Sequence, residues 1–286
     1  MKRTELRHAA SQYRLLVVLR LEGPREALFR RRYVLLQNNC IAVHLTMRAI
    51  LTFHSIDDSG SVLSFPPRTF ADLLAALHRD GLPVCDLDTL LAPATHHGIA
   101  LSFDDGMRSV FTHALPILRD YAAPAHLFLT TGAVGGNNRW TTQPAYAPSF
   151  DMLNWDEIEK LQLAGVRIES HTHSHPDLRE LDDRSVAADC SKADRIVEER
   201  LGRRPQYFAY PYGYRSVRAL AYARNCYRAS VTTELREIQG NEDPAALPRL
   251  DSYYLRAPWV FRRLDTALPR AYLALRGALR KIRGRE

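Results

Sequence analysis

The chain is short of most features that would mark it as disulfide-built, repetitive or membrane-spanning. It has four cysteines, Cys40, Cys85, Cys190 and Cys226, far apart and without a C-x-x-C pair. That spacing leaves isolated reduced thiols, most of them small core residues. No run approaches the ~18–20 apolar residues of a membrane span. The best N-terminal candidate, Leu15 to Leu19, is too short for a signal-peptide core and runs into Arg20 and Glu22. The expectation is therefore a cytoplasmic chain. Internal repeats and low-complexity tracts are absent too, which excludes a solenoid or a compositionally disordered chain.

What is present suits a folded enzyme-sized domain. With 46% apolar and 25% charged residues, 286 residues can bury one large core. The net charge of +7 is concentrated at the ends. Residues 1–46 hold nine Lys or Arg against three Glu, and residues 257–286 hold eight against Asp265 and Glu286. The body between them is mildly acidic. Basicity of that origin belongs to tails, so no nucleic-acid partner is expected.

Three segments follow from this. Residues 1–46 have no sustained period and read as a basic, disordered extension. Residues 47–256 alternate short apolar runs with helical patterns. Strands are expected at 49–53, 99–103, 125–129, 166–170, 207–210 and 228–232, and helices at 69–79, 108–121, 154–165 and 183–201. Asn154 and Glu157 have capping-box spacing, and Gly81, Gly165 and Gly202 stand where helices should stop. Such alternation implies a parallel sheet with crossover helices, and about seven units in this length favour a closed barrel. Residues 257–286 form a basic amphipathic C-terminal helix or tail, in which Val260, Phe261, Leu264, Leu268, Tyr272, Leu275, Leu279 and Ile282 recur at helical spacing. It is expected to dock on the barrel with its arginines snorkelling, although Pro269 interrupts the pattern midway. Peripheral contact with anionic lipid is the second reading of that segment. No obligate protein partner is inferred.

Polar residues follow the strands. Phe53 leads into His54, Phe103 into Asp104-Asp105-Gly106, Ser170 into His171-Thr-His-Ser-His175, and Tyr210 into Pro211-Tyr212-Gly213. In a parallel barrel all strand ends share one rim, so these motifs converge. Carboxylate and imidazole without thiolate suit zinc or another divalent first-row metal. If residues 171–175 formed a helical turn, His171 and His175 would lie on one side. If they stayed extended, 171, 173 and 175 would face one way, and spacing alone leaves that pair open. Two histidines and a carboxylate leave open positions for water and substrate.

These residues match a known family. Leu101-Ser-Phe-Asp-Asp-Gly106 and Ser170-His-Thr-His-Ser-His-Pro-Asp-Leu178 resemble the first two signature motifs of the polysaccharide deacetylases, the NodB-homology or carbohydrate esterase family 4 fold. Tyr207-Phe-Ala-Tyr-Pro-Tyr-Gly213 looks like the third. The resemblance implies a single domain of distorted (β/α)7-barrel type. It implies a metal, zinc or a similar ion, bound by Asp105, His171 and His175. It makes Asp104 the general base for the attacking water, the Tyr212 backbone N–H an oxyanion donor, and His173 a neighbour. This chain departs from the pattern in two places. Ala209 stands where many members have the arginine that orients the base, with Arg249 a candidate substitute. No histidine follows His175, so the late general acid is missing. However, Leu51-Thr-Phe-His54-Ser-Ile56 is similar to the early histidine motif of a subgroup acting on exopolysaccharides of N-acetylglucosamine, which makes His54 the acid. Pro211, Tyr214 and Trp155 are the expected substrate contacts, with Trp140 and Tyr146 as further aromatics near the rim. The function implied is removal of N-acetyl groups from an amino-sugar glycan. A metal-dependent amidase for another amide and a non-hydrolytic carbohydrate-binding relative are the rivals.

Overall fold

The computed structural model describes residues 46–143 and 147–283, so the expected N-terminal extension up to residue 45, and Tyr146, lie outside the described residues. Seven parallel strands close into a barrel in sequence order, the last pairing with the first. They are β1 Arg48–Phe53, β2 Gly98–Asp105, β3 Ala125–Leu129, β4 Arg167–Ser170, β5 Tyr207–Ala209, β6 Ala229–Leu235 and β7 Leu247–Asp251. The helices are α1 Pro67–Arg79, α2 Leu87–Leu91, α3 Leu115–Asp120, α4 Trp155–Leu163, α5 Asp183–Leu201, α6 Val217–Cys226, α7 Pro258–Phe261 and α8 Ala267–Ile282.

The expected helix stops are in place. Asn154 and Glu157 form a reciprocal capping box on α4, and Gly81, Gly165 and Gly202 all adopt positive φ. The expected helix at 108–121 is instead a π-turn, Val110–Ala114, followed by α3. Pro116 offers no N–H to the carbonyl four residues before it, and the widened turn is the consequence.

Strand β7 escaped the apolar-run pattern, because its sequence Leu-Pro-Arg-Leu-Asp carries a proline and a charge. It forms because barrel closure gives it partners on both sides: Leu250 pairs with Leu51, and Leu247 with Val231. An irregularity in the β6–β7 pairing accommodates Pro248.

Strand alternation sets up the interior. Ile50 and Ala100 share an apolar cluster with Phe128 and Val231, plugged by Leu87 and Leu90 of α2. Two residues further along the same strands come Thr52 and Ser102, whose hydroxyls lie 3.2 Å apart. Another two residues bring His54 and Asp104 to the rim. Odd-numbered neighbours such as Leu51, Phe53, Leu101 and Phe103 pack outward against Phe70, Leu73 and the other helix residues of the main core.

The C-terminal segment is two helices rather than one interrupted pattern. Pro269 falls in the first turn of α8, where an amide N–H is not needed, so it does not break the helix as expected. Val260, Phe261, Leu264 and Leu273 are buried. Gly277 lies so close to β6 that a Cβ there would sit 2.3 Å from the Leu235 carbonyl oxygen. Among the described residues no helix is long and apolar enough to cross a membrane.

Candidate metal centre and active site

Strand β2 carries its two aspartates to the rim in different directions. Asp104 is still extended, whereas Asp105 has φ 72° and is followed by Gly106 at φ 101°. A side chain on Gly106 would sit 2.7 Å from Leu129 Cδ1. The left-handed step after Asp104 turns the Asp105 carboxylate towards β4.

There it meets two imidazoles. Asp105 Oδ1 lies 3.3 Å from His171 Nε2 and 3.4 Å from His175 Nε2. One ligand atom from each of the three buried residues falls within 4.8 Å of the others. His171 Nδ1–H donates to the Ala209 carbonyl at 2.7 Å, which leaves the Nε2 lone pair facing Asp105. Burial would raise the Asp105 pKa, but hydrogen bonds and charge from the two histidines hold it well below the usual carboxylate range. Burial pulls the His171 pKa down, and the bond to Asp105 with the charges of both aspartates outweighs it. For His175 burial prevails and its pKa is lowered. One oxygen and two oriented nitrogens, buried together, fit a divalent first-row cation.

The loop 171–175 is neither a helical turn nor a strand, the two local conformations the spacing allowed. Thr172 has φ 68° and His175 φ 52°, so two non-glycine residues in left-handed geometry bring 171 and 175 together. Such strain persists only where surroundings over-determine it. Thr172 Oγ1 accepts from the His175 N–H. Asp189 of α5 accepts from the backbone N–H groups of His173 and Ser174 and from the Ser174 hydroxyl. His173 is turned away from the cluster, bonded to Thr131 Oγ1 at 2.9 Å and packed on Gly132, where a Cβ would lie 2.5 Å from its carbonyl oxygen.

Asp104 makes a two-pronged ion pair with Arg249 of β7, at 2.7 and 2.6 Å, and both side chains are buried. Arg249 Nε also donates to the Thr232 carbonyl, and Nη1 reaches Ser102. Burial pushes the Asp104 pKa up, and the guanidinium beside it more than offsets this, so the carboxylate is held below its ordinary value. Arg249, the candidate substitute for the arginine absent at Ala209, is thus the guanidinium paired with Asp104. His54, half-buried at the end of β1, is close enough for its charge to act on both aspartates.

Aromatic rings frame one side. Trp140 stacks on His175 at 4.1 Å between centroids, and Tyr212 meets the same imidazole edge-on at 4.6 Å. Trp140 Nε1 donates to the Tyr212 hydroxyl, which also bonds Thr142. Tyr212 itself has φ 59° in the Pro211–Gly213 turn. Tyr214 lies beside Tyr212 with Arg179 over its ring at 3.6 Å. Pro211, in the same turn as Tyr212, is buried. Trp155 is not brought to this group. It opens α4, packs against the core and carries Arg200 over its ring.

Asp189 and the Thr131–Gly132 seat were not foreseen. Asp189 reads in sequence as one more polar residue on a long amphipathic helix, and nothing local says that it holds a loop from another crossover.

Residues 92–229 match the family model for polysaccharide deacetylase. The chain is 23% identical over 160 residues to the poly-beta-1,6-N-acetyl-D-glucosamine N-deacetylase of Staphylococcus aureus, a match spanning 52% of each chain. Its fold is shared with IcaB from Ammonifex degensii, at a TM-score of 0.63 and 24% identity over 77% of this chain and 96% of that one. It is shared also with the Streptococcus pyogenes deacetylase PplD in complex with acetate, at 0.61 and 22% over 72% and 92% of the two chains. The matched stretch runs from before β2 to the start of β6 and contains Asp104, Asp105, His171, His175 and the Tyr212 turn, so the part of the chain that carries the site is similar to the polysaccharide deacetylases.

Proposed function

We propose that this protein hydrolyses N-acetyl groups from an amino-sugar-containing glycan, with Asp105, His171 and His175 holding a divalent first-row ion, zinc first among the candidates. The observation that carries the proposal is the buried Asp105–His171–His175 cluster beside a second aspartate clamped by Arg249. A bound ion supplies Lewis acidity there, polarising an amide carbonyl and making water easier to deprotonate.

The chain's own residues supply the proton transfers. Asp104 takes the proton from the attacking water. An ionised carboxylate has about four lone-pair sites, so Arg249 can bond both oxygens and leave room for the water. The Tyr212 backbone N–H is assigned to the developing oxyanion, since a donor fixed in a strained turn needs no reorganisation during reaction. His54 gives a proton to the departing nitrogen, because an amine anion is too poor a leaving group. Its column on the strand pattern, shared with Ile50 and Thr52, puts it on the same side as Asp104. Trp140, Tyr212 and Tyr214, with Pro211, offer flat faces for a sugar ring.

The Staphylococcus aureus relative acts on a polymer of N-acetylglucosamine, and that substrate class is carried over here as the proposal. The pairing of Arg249 with Asp104 favours hydrolysis over a non-hydrolytic carbohydrate-binding relative. The test is acetate release from N-acetylglucosamine oligomers, with chelator and with added Zn²⁺. Release that stops on chelation and returns with metal supports the reading. A metal-loaded protein that releases none overturns the sugar substrate and leaves another amide.

A further inference from the structure

Helix α8 docks with the opposite polarity to the one its sequence suggests. Leu268, Leu275 and Ile282 are 70%, 59% and 81% exposed. Spaced by seven residues, they lie along one line of the helix, and the intervening outward positions Ala271, Ala274 and Ala278 are exposed as well. The cations turn the other way. Arg270 pairs with Glu237 at 2.8 Å and donates to the Thr46 carbonyl, Arg280 pairs with Asp251 at 3.5 Å, Lys281 with Glu234 at 2.6 Å, and Arg276 covers the Tyr254 ring. The line through Leu268, Leu275 and Ile282 therefore holds no charged residue over four turns, and the exposed Lys281 stands at the edge of this face beside Ala274 and Ala278. Trp259, half exposed, stands at its edge against Tyr272.

We infer that this face is a docking surface for an anionic lipid bilayer, on which the protein lies peripherally. Charge complementarity selects the occupant. Arg262 and Arg263 are exposed at one end of the stripe and Arg283 at the other. An uncharged apolar strip bordered by cations and flanked by Trp and Tyr is the surface that inserts at a headgroup boundary. A second copy would bring two strongly basic ends together, and like charge opposes that pairing. The stripe runs up the barrel flank, from Thr46 at the start of β1 to Glu234 and Asp251 at the rim ends of β6 and β7. Docking by this flank would hold the catalytic rim beside the bilayer, where a lipid-attached glycan could reach it.

The experiment is co-sedimentation of the full chain with vesicles of phosphatidylcholine alone or with a third of phosphatidylglycerol, at low and high salt. Leu275→Glu and the uncharged Leu275→Ser are compared with the native chain, with thermal melting as the folding control. The expected result is binding to the anionic vesicles only, weakened by salt, and reduced about tenfold or more in both variants at unchanged melting temperature. Equal binding by native chain and variants, or no binding, would overturn the proposal. So would a concentration-dependent dimer abolished by the same substitutions, which would assign the stripe to a second copy.

Discussion

At the scale of single residues the site depends on how two adjacent aspartates are kept apart. Asp104 faces Arg249 and Asp105 faces two histidines, because the backbone turns left-handed between them. Asp104→Asn keeps the shape and removes the base. Turnover should fall by about 10²–10⁴-fold, with metal content by elemental analysis unchanged. Undiminished turnover would take the base role from Asp104. Arg249 should matter in two ways that can be separated. Arg249→Met leaves a buried carboxylate unpaired and should cost about 3–5 kcal/mol in denaturant unfolding. Arg249→Lys keeps the charge but cannot grip both oxygens, so it should retain much of the stability while kcat drops. Equal kcat in native and Lys variants would mean that the fork geometry is irrelevant to catalysis.

At the scale of elements, the metal loop is held from outside its own crossover. Asp189, three residues into the second turn of α5, ties down the backbone of His173 and Ser174, and with it the strained residues on either side. Asp189→Ala should weaken metal binding by about 10–100-fold in a competition titration, as loss of supporting groups around a ligand does. An unchanged affinity would show that Thr172 and Gly132 suffice. Helix α8 is fastened partly by Glu234, which bonds Arg236 and Lys281. Burial raises the Glu234 pKa, but those cations bring it down to about 2 from an ordinary 4.5. A carboxylate depressed in the folded state stabilises it above the unfolded pKa, and this contribution is lost as pH falls from 4.5 towards 2. The melting-temperature gap between native chain and Glu234→Gln should therefore be open near pH 6 and shrink below about pH 4. A gap that persisted at acid pH would refute the assignment.

At the scale of the whole molecule, seven strands bring together residues from β1, β2, β4, the β5 turn and β7. A cation bound by that junction belongs only to the folded state. Saturating Zn²⁺ should thus raise stability, by about 2.7 kcal/mol at a hundredfold excess over Kd. Chelation should lower the melting temperature of the native chain, and His171→Ala should abolish the difference. A chelator shift that survives in His171→Ala would place the metal elsewhere.

Much of this was legible in the amino-acid sequence because it is written in local terms. Apolar runs, caps and stop glycines marked six strands and the long helices, α5 among them with its bounds at Asp183 and Leu201. The position of polar motifs directly after strands identified the metal candidates and His54. Three things were decided only by the tertiary structure. Strand β7 exists because closing a barrel supplies two hydrogen-bonding neighbours to a segment whose own pattern is poor. Arg249 reaches Asp104, 145 residues away, and Asp189 reaches the metal loop, because contacts between separate crossovers leave no periodic trace in either segment. The face of α8 that turns outward was decided by where the carboxylates of the body lie. Glu234, Glu237 and Asp251 draw the cations towards the body, and Leu268 and Leu275 are left facing out. Periodicity tells which side chains share a face; only the folded partners determine which face is buried.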